Sequence, residues 1–392
     1  MTKQLLYNAC TFGKPEIDAV MKMFKLGWLS GGGETDSFEK EMAAWVGVNH
    51  AIATNSGSTA NYLALSSLEL KPGDEVITTA CGFPSTVSPI LLQGLTPVYI
   101  DVDRGSWTPN LDQLEKAIGP KTKAVMFAHT LGNMPDMDRL MEIVKNYGLR
   151  YVEDNCDALG STWKGKKSGT FGDVSTVSYY PAHHMTTAGE GGMVFTNDPI
   201  LAKKAQVFRD WGRACWCKWN EKNPNGACGA RFANEPFDHK YYYIKLGLNF
   251  KMTEMQSAFG REQKKRLNGF IRRRKRNFKI LYNELVKDKN WANRLPVWHK
   301  EADISWFAFI LQSPKFKGAS LVQYLESHGI QTRALFAGNL LNHPAFKNKP
   351  GRIAGDLSVS DYVLGNVFFV GLGPKLTPTD MRYIAKTIKS YK

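Results

Sequence analysis

The sequence predicts an α/β fold built on a large, mostly parallel sheet, and two observations carry that expectation. Short apolar runs recur at 51–54 (AIAT), 75–80 (EVITTA), 97–101 (PVYID), 124–128 (AVMFA), 151–154 (YVED) and 192–196 (GMVFT). Amphipathic helical stretches such as 134–147 (MPDMDRLMEIVKNY) separate several of them. Strands covered on both faces by crossover helices read as continuous apolar runs. Ligands of such sheets bind beyond the carboxyl ends of the strands, so the residues just after each run are the first candidates for a site.

At 392 residues the chain suits two packed domains. A long helical pattern opens near Thr253 and runs into a basic stretch, 261–276 (REQKKRLNGFIRRRKR), read as an exposed helix face. The boundary is placed near residue 250, giving a large domain over 1–250 and a smaller C-terminal α/β domain over 251–392. Residues 214–240 read as a long irregular loop rich in Asn, Gly and Pro, the kind that is usually functional. The net charge of +15 fits either a lysine-rich surface or attraction of an anionic substrate or acidic electron-transfer partner. The basic cluster carries little aromatic interleaving, so no nucleic acid is expected. No apolar run approaches the roughly 18 residues that span a bilayer. The first residues lack a signal-peptide core, and a cytoplasmic location is expected.

Between Lys167 and Lys203 there is no lysine, and in that gap stands Ser178-Tyr179-Tyr180-Pro181-Ala182-His183-His184, followed by Gly189-Glu190-Gly191-Gly192. This layout resembles the pyridoxal-phosphate loop of the DegT/DnrJ/EryC1/StrS sugar aminotransferases, where a lysine stands five residues after a serine. Here that position is His183. Lysine condenses with an aldehyde to form a Schiff base, whereas imidazole forms no stable one and can only move protons. The resemblance implies a fold-type I, aspartate-aminotransferase-like scaffold that holds pyridoxamine phosphate without a covalent tether.

Four further features would build that site. Asn55-Ser56-Gly57-Ser58-Thr59 opens a helix after the first run, and its free N–H groups and dipole suit a phosphate. Taken alone it is an ordinary N-cap. Asp154 closes a strand, where a carboxylate can pair with a protonated pyridine nitrogen and make the ring an electron sink. Phe83 could stack on the ring, or be a core residue. Ser178 could add a phosphate hydrogen bond. These pieces fall in the family's order, together with Pro72-Gly73-Asp74-Glu75-Val76 and Gly172-Asp173. Leu248-Asn249-Phe250 resembles the segment that lends an asparagine, here Asn249, to the phosphate of the neighbouring subunit, which implies a homodimer.

Two subgroups of that family carry histidine for lysine, and both remove the 3-hydroxyl of a nucleotide-linked 4-keto-6-deoxyhexose. One acts on a CDP sugar with pyridoxamine phosphate and a [2Fe–2S] cluster, the other on a GDP sugar without a cluster. Of six cysteines, Cys10 and Cys81 are isolated. Cys156, Cys215, Cys217 and Cys228 form a set of four thiols, which suits a [2Fe–2S] cluster or zinc. Their settings, Glu153-Asp154-Asn155-Cys156, the C-x-C after Arg209–Arg213 and Cys228-Gly229 before Arg231-Phe232, resemble the cluster subgroup, although the gap from Cys217 to Cys228 is longer than usual there. The implied reaction has His183 removing a proton from the cofactor's C4′ carbon and the C3 hydroxyl leaving, with two electrons delivered singly through the cluster. Tyr180 and Asp157 are candidates for proton and radical management or plain pocket hydrogen bonding, and Arg333 for the diphosphate. His184 reads as a packed neighbour. No flavin or nicotinamide module is visible, since Gly31-Gly32-Gly33 alone is too weak, so a separate NAD(P)H-dependent flavin or iron–sulfur reductase is expected. A cluster-free dehydratase and a non-catalytic relic with structural zinc are the alternatives.

Overall fold

All six apolar runs become strands of one sheet. The computed structural model describes residues 4–215, 232, 236–313 and 318–391. Strands β1 (His50–Thr54), β2 (Glu75–Thr79), β3 (Thr96–Ile100), β4 (Thr122–Ala128) and β5 (Arg150–Asp154) precede a small hairpin, β6 (Thr162–Trp163) and β7 (Lys166–Lys167). Then come β8 (Val174–Ser178) and β9 (Gly192–Thr196). The C-terminal part adds β10 (Ala302–Asp303), β11 (Ala308–Gln312), β12 (Thr332–Ala334), β13 (Arg352–Ile353) and β14 (Val367–Gly371).

The large sheet has eight strands in the order β1-β9-β8-β5-β4-β2-β3-β13. Strand β9 runs antiparallel to both neighbours, and the other pairings are parallel. Side chains alternate between two cores, as the two-residue period of a strand requires. Ile52, Val76, Ala124 and Val152 pack on one face, while Ala51, Ile77, Val125 and Tyr151 pack on the other.

Strand β8 escaped the sequence reading because Val-Ser-Thr-Val-Ser looks half polar, yet all five residues are buried. Its hydroxyls are satisfied internally: Ser175 donates to the Gly169 carbonyl at 2.6 Å and Thr176 to Asn61 Oδ1 at 2.6 Å. A buried hydroxyl is tolerated once it has a partner.

The helices of the large-sheet region are α1 (Lys14–Leu26), α2 (Gly33–Val46), α3 (Gly57–Ser67), α4 (Pro84–Leu92), α5 (Leu111–Ala117), α6 (Met137–Asn146) and α7 (Pro199–Arg209). Helix α8 (Glu254–Leu285) then leads to a smaller antiparallel sheet ordered β11-β14-β12, with α9 (Gly318–Ser327), α10 (Ser358–Val363) and α11 (Pro378–Ser390). Two segments cross between the sheets. Strand β13 returns to the edge of the large sheet beside β3, and Leu5 near the N-terminus bridges to Ile330.

Helix α8 is 32 residues long, about 48 Å at 1.5 Å per residue. Thr253 caps it in a capping box with Gln256. Its basic stretch is not simply a solvated face, which corrects the sequence reading. Lys265, Arg272 and Arg273 are exposed, but Gln263, Leu267, Phe270, Ile271 and Arg274 are buried. The helix serves as a spine against which α1, α2 and α11 pack. At its start the buried Glu254 accepts hydrogen bonds from the backbone N–H groups of Gly32, Glu34 and Thr35 at 2.8–2.9 Å, closing the N-terminus of α2. Among the described residues no helix is long and apolar enough to cross a membrane.

Replacing Glu254 by Ala strands three backbone donors in a buried site and is expected to cost about 3 kcal/mol. Glu262→Ala, which removes an exposed pair with Lys265, should cost under about 0.5 kcal/mol. Denaturant unfolding of the two variants measures the difference.

Candidate active site

The carboxyl ends of β1, β2, β4, β5 and β8 open into one cavity of about 770 Å³, closed on the far side by β12 and β14 of the small sheet. Ten of the residues singled out in the sequence line it: Gly57, Ser58, Phe83, Asp154, Cys156, Asp157, Ser178, Tyr180, His183 and Arg333. Thr59 and Asn249 do not. Thr59 instead donates its backbone N–H to Ser56 Oγ at 3.1 Å and its hydroxyl to Asn55 Oδ1 at 2.8 Å, which fixes the first turn of α3. Asn249 lies exposed on a bridge to Asp210 and accepts from the Lys251 N–H at 3.3 Å.

Asp154 is 4 % exposed, so its carboxylate needs partners. Oδ2 accepts from Asn61 Nδ2 at 2.8 Å and Thr86 Oγ1 at 2.7 Å, and Oδ1 accepts from the Cys156 N–H at 3.1 Å. Asn61 belongs to α3 and Thr86 to α4, so the carboxylate ties together the helices that carry Gly57 and follow Phe83. Neither partner was foreseen, because a lone Asn or Thr in a helix carries no chemical signature. Phe83 is no core residue: it is 55 % exposed and faces the cavity. Gly57 lies so close to β8 that a Cβ there would stand 2.5 Å from Ser178 Cβ, so only glycine lets the α3 N-terminus abut Ser178. The Ser178 hydroxyl accepts from the Tyr180 N–H at 3.2 Å.

His183 presents its imidazole at the cavity wall. Nδ1 lies 3.3 Å from Asp157 Oδ1, close enough for charge attraction but without hydrogen-bond alignment. The Phe307 ring tilts against it at 5.2 Å, and Tyr180 stands edge-on at 6.5 Å. His184 points the other way. It is buried, with Nε2 against the Ser305 carbonyl at 2.8 Å, and burial holds its pKa well below the ordinary range, so its ring is neutral. Among the described residues, no lysine lines the cavity.

Two lining groups were absent from the sequence reading. Tyr7 comes from the N-terminal segment, where burial raises its phenol pKa against the lowering field of Arg333. The Arg333 guanidinium lies 4.8 Å above the Tyr7 ring. Phe336, His343 and Phe369 come from the small-sheet region and widen the apolar end. Phe336 follows Arg333 by three residues, but Tyr7, His343 and Phe369 are gathered only by folding.

The four candidate metal ligands divide. Cys156 borders the cavity beside Asp154, and burial, reinforced by Asp154, pushes its thiol pKa well above normal. Cys215 is half-buried beyond α7. Cys217 and Cys228 lie outside the described residues. Among the described residues no group of three or more His, Cys, Asp or Glu is arranged to hold a metal ion. Cys81 is buried with its thiol pushed up to about 12 by burial, and Cys10 approaches the Pro181 carbonyl at 3.7 Å.

The DegT/DnrJ/EryC1/StrS aminotransferase family model matches residues 11–389. The chain belongs to this family. It is 41% identical over 396 residues to the lipopolysaccharide biosynthesis protein RfbH of Salmonella typhimurium, covering 97% of this chain and 90% of that protein. It is 42% identical over 380 residues to the dTDP-4-dehydro-2,6-dideoxy-D-glucose 3-dehydratase of Saccharopolyspora spinosa, covering 93% and 81%. The solved E. coli GDP-4-keto-6-deoxy-D-mannose-3-dehydratase with bound hydrated PLP superposes with a TM-score of 0.88 at 27% identity, covering 99% of this chain and all of that one. The DegT-family fold of this chain is therefore the fold-type I, aspartate-aminotransferase-like architecture.

Burial and the Asp154 carboxylate both disfavour the Cys156 thiolate in this DegT-family chain. Asp154→Asn removes the nearer charge, so it should lower the Cys156 pKa and speed alkylation at pH 8 relative to the wild type, although burial keeps the thiol less reactive than a free cysteine. Iodoacetamide labelling of metal-free protein, read by peptide mass spectrometry, measures this. Cys81 should stay unlabelled in both proteins.

Proposed function

We propose that the protein is a pyridoxamine-phosphate-dependent dehydrase that removes the C3 hydroxyl of a nucleotide-linked 4-keto-6-deoxyhexose, completing the reaction with electrons from a [2Fe–2S] cluster. The observation that carries the reading is His183, in a cavity that no lysine among the described residues lines, at the place where the family holds a lysine. The Saccharopolyspora spinosa relative and the similar solved structure are named as sugar 3-dehydratases, which supports the reaction class.

The residues present fit the cofactor. The α3 N-terminus with Gly57 and Ser58, joined by Ser178, offers backbone and hydroxyl donors to a phosphate. Asp154, buried and already oriented by Asn61 and Thr86, suits a protonated pyridine nitrogen, and exposed Phe83 can cover a ring face. Bound pyridoxamine phosphate supplies an amine that condenses with the C4 ketone and a ring that accepts the electrons of the broken C–H bond. His183 takes the C4′ proton and can pass it on to the departing C3 hydroxyl. Asp157 stabilises the imidazolium so formed from 3.3 Å. Tyr180, 47 % exposed, stands where it can share a proton or a radical with the bound sugar. Arg333 offers a planar guanidinium to the diphosphate. The nucleotide proposed is CDP.

The cluster would be held by Cys156, Cys215, Cys217 and Cys228 and would supply single electrons drawn from a separate NAD(P)H-dependent reductase. Cys156 follows Asp154 by two residues, which supports electron delivery close to the ring. A homodimer completes the site, with Asn249 reaching the partner's phosphate. The exposed apolar side chains around it, Tyr243, Ile244, Leu246 and Leu248, support burial against a second copy.

Three measurements check this reading. Borohydride treatment of the native protein with pyridoxal phosphate should fix no cofactor in the cavity, whereas His183→Lys should yield a cofactor-labelled peptide at position 183. A borohydride-trapped native lysine would overturn the reading. Cys217→Ser should abolish the EPR signal of the reduced cluster and stop turnover while leaving His183-dependent C4′ proton exchange intact. Stoichiometric zinc without iron after anaerobic reconstitution would remove the cluster, and full turnover of Cys217→Ser would favour the cluster-free dehydratase. Mixing Asn249→Ala with His183→Asn subunits should restore some active sites, and no recovery despite verified subunit exchange would count against sharing.

A further inference from the structure

The buried guanidinium of Arg274 has no place in the reaction as described, yet it lies directly beneath the catalytic loop. Arg274 is fully buried in the middle of α8. Nη1 donates to the Phe307 carbonyl at 2.7 Å and Nη2 to the His183 carbonyl at 3.0 Å. Its Nε has no acceptor, and no carboxylate among the described residues pairs with it. Burial pulls its pKa down to about 10, against the raising field of Asp157, so it remains charged at neutral pH. A buried cation whose hydrogen bonds go only to two carbonyls, with the Phe307 ring 5.9 Å away and no paired carboxylate, is costly, and an apolar residue of similar size often folds as readily. Something other than stability retains it.

The two carbonyls it bridges explain what that is. One belongs to His183. The other belongs to Phe307, whose ring packs against the His183 imidazole. One planar fork therefore fixes both the backbone that carries the base and the aromatic wall that orients it, which a single ammonium point cannot do.

A second clamp reaches the same loop from the N-terminal segment. Asn8 Nδ2 donates to the carbonyls of Ala182 and, at 3.2 Å, His183. The segment carrying it lies flush on the end of β14. A Cβ at Gly371 would stand 2.3 Å from the Tyr7 carbonyl, and one at Gly373 would stand 2.6 Å from Asn8 Oδ1. Asn277, less than one turn beyond Arg274, donates to the carbonyls of Leu372, Gly373 and Leu376 at 3.1–3.3 Å. The contacts form a closed ring: α8 through Arg274 to the His183 loop, through the Tyr7–Asn8 segment to Gly371 and Gly373 at the end of β14, and through Asn277 back to α8.

We infer that Arg274 and Asn8 are positioning residues that hold the His183 loop from two distant parts of the chain, so that the imidazole meets the reacting carbon in one orientation. This rests on His183 being the proton carrier. A shift of about 1 Å at such a group can cost on the order of 100-fold in rate.

The test uses the full-length protein with Arg274→Met, Arg274→Lys, Asn8→Ala and, as a control, Arg272→Met on the exposed face of α8. Two readouts are followed: the ¹³C order parameter of the His183 ring in cofactor-free protein, assigned by its loss in His183→Asn, and C4′ proton exchange with bound pyridoxamine phosphate and substrate. Arg274→Met and Asn8→Ala should each lower the ring order parameter and slow exchange by about 10- to 100-fold, with affinity for pyridoxamine phosphate unchanged. Arg274→Lys, with the charge kept and the fork lost, should recover only part of the exchange rate, and Arg272→Met should match the wild type. Ring order and exchange unchanged in folded Arg274→Met and Asn8→Ala would overturn the inference, as would full rescue by lysine. If Arg274→Met does not fold, Asn8→Ala decides alone. Unimpaired exchange in His183→Asn would instead sink the proton-carrier assignment, a separate failure.

Discussion

Two adjacent carboxylates at the end of β5 govern this molecule. Glu153 and Asp154 point to opposite sides of the sheet and both are buried, so each demands compensation that only tertiary structure can supply. Glu153 faces the interior, where burial would raise its pKa. The His129 imidazole at 2.8 Å and the N–H groups of Gly169, Phe171 and Gly172 outweigh that and hold it ionised. It thereby fixes the turn that launches β8 and, beyond β8, the loop bearing His183. Asp154 faces the cavity and is satisfied by Asn61 and Thr86, which aligns α3 and α4. Solving these local electrostatic problems arranges the α3 N-terminus, Phe83 and His183 around one cavity.

The long helix α8 solves a second problem, that of joining two sheets without a loose hinge. Its buried polar residues are anchors. Glu254 closes α2, Gln263 with Arg266 satisfies the buried Glu16 of α1, and Asn277 holds the turn after β14. Such groups contribute little net stability, because desolvation offsets most of what their bonds return. What they provide is a single register between elements far apart in sequence. A cavity shared by both sheets needs that, since Asp154 and Arg333 on its walls move independently unless a rigid element spans them.

The proposed chemistry turns on one position, where this chain has His183 and the family holds a lysine. A lysine at position 183 would carry a nucleophilic amine into the cavity. Histidine carries a base that cannot form a lasting bond to an aldehyde, so a cofactor held here depends on phosphate, pyridine-nitrogen and stacking contacts alone. The care with which Asp154 and the α3 N-terminus are organised is consistent with that burden.

Much of the fold was legible in sequence because its signals are local. Strands buried on both faces are continuous apolar runs, the helical pattern near Thr253 marks the start of α8, and the carboxyl ends of the runs point to Gly57, Phe83 and Asp154. His183 was legible too, as a histidine in a stretch without lysine. Strand β8 was not, because its buried serines and threonines read as polar until their partners are known. Nor were Asn61, Thr86, Tyr7 and Phe307, whose roles exist only through contacts across tens to hundreds of residues. Arg274 shows the division most plainly. In sequence it is one more basic residue in REQKKRLNGFIRRRKR, indistinguishable from exposed Arg272 and Arg273. The angular position of residue 274 on α8, set by 3.6 residues per turn and by which face packs inward, turns that cation towards His183. The sequence by itself determined the scaffold and marked His183 as the candidate reactive group. Tertiary structure alone decided what holds that group in place, because a hydrogen bond to a distant carbonyl leaves no trace in the order of residues.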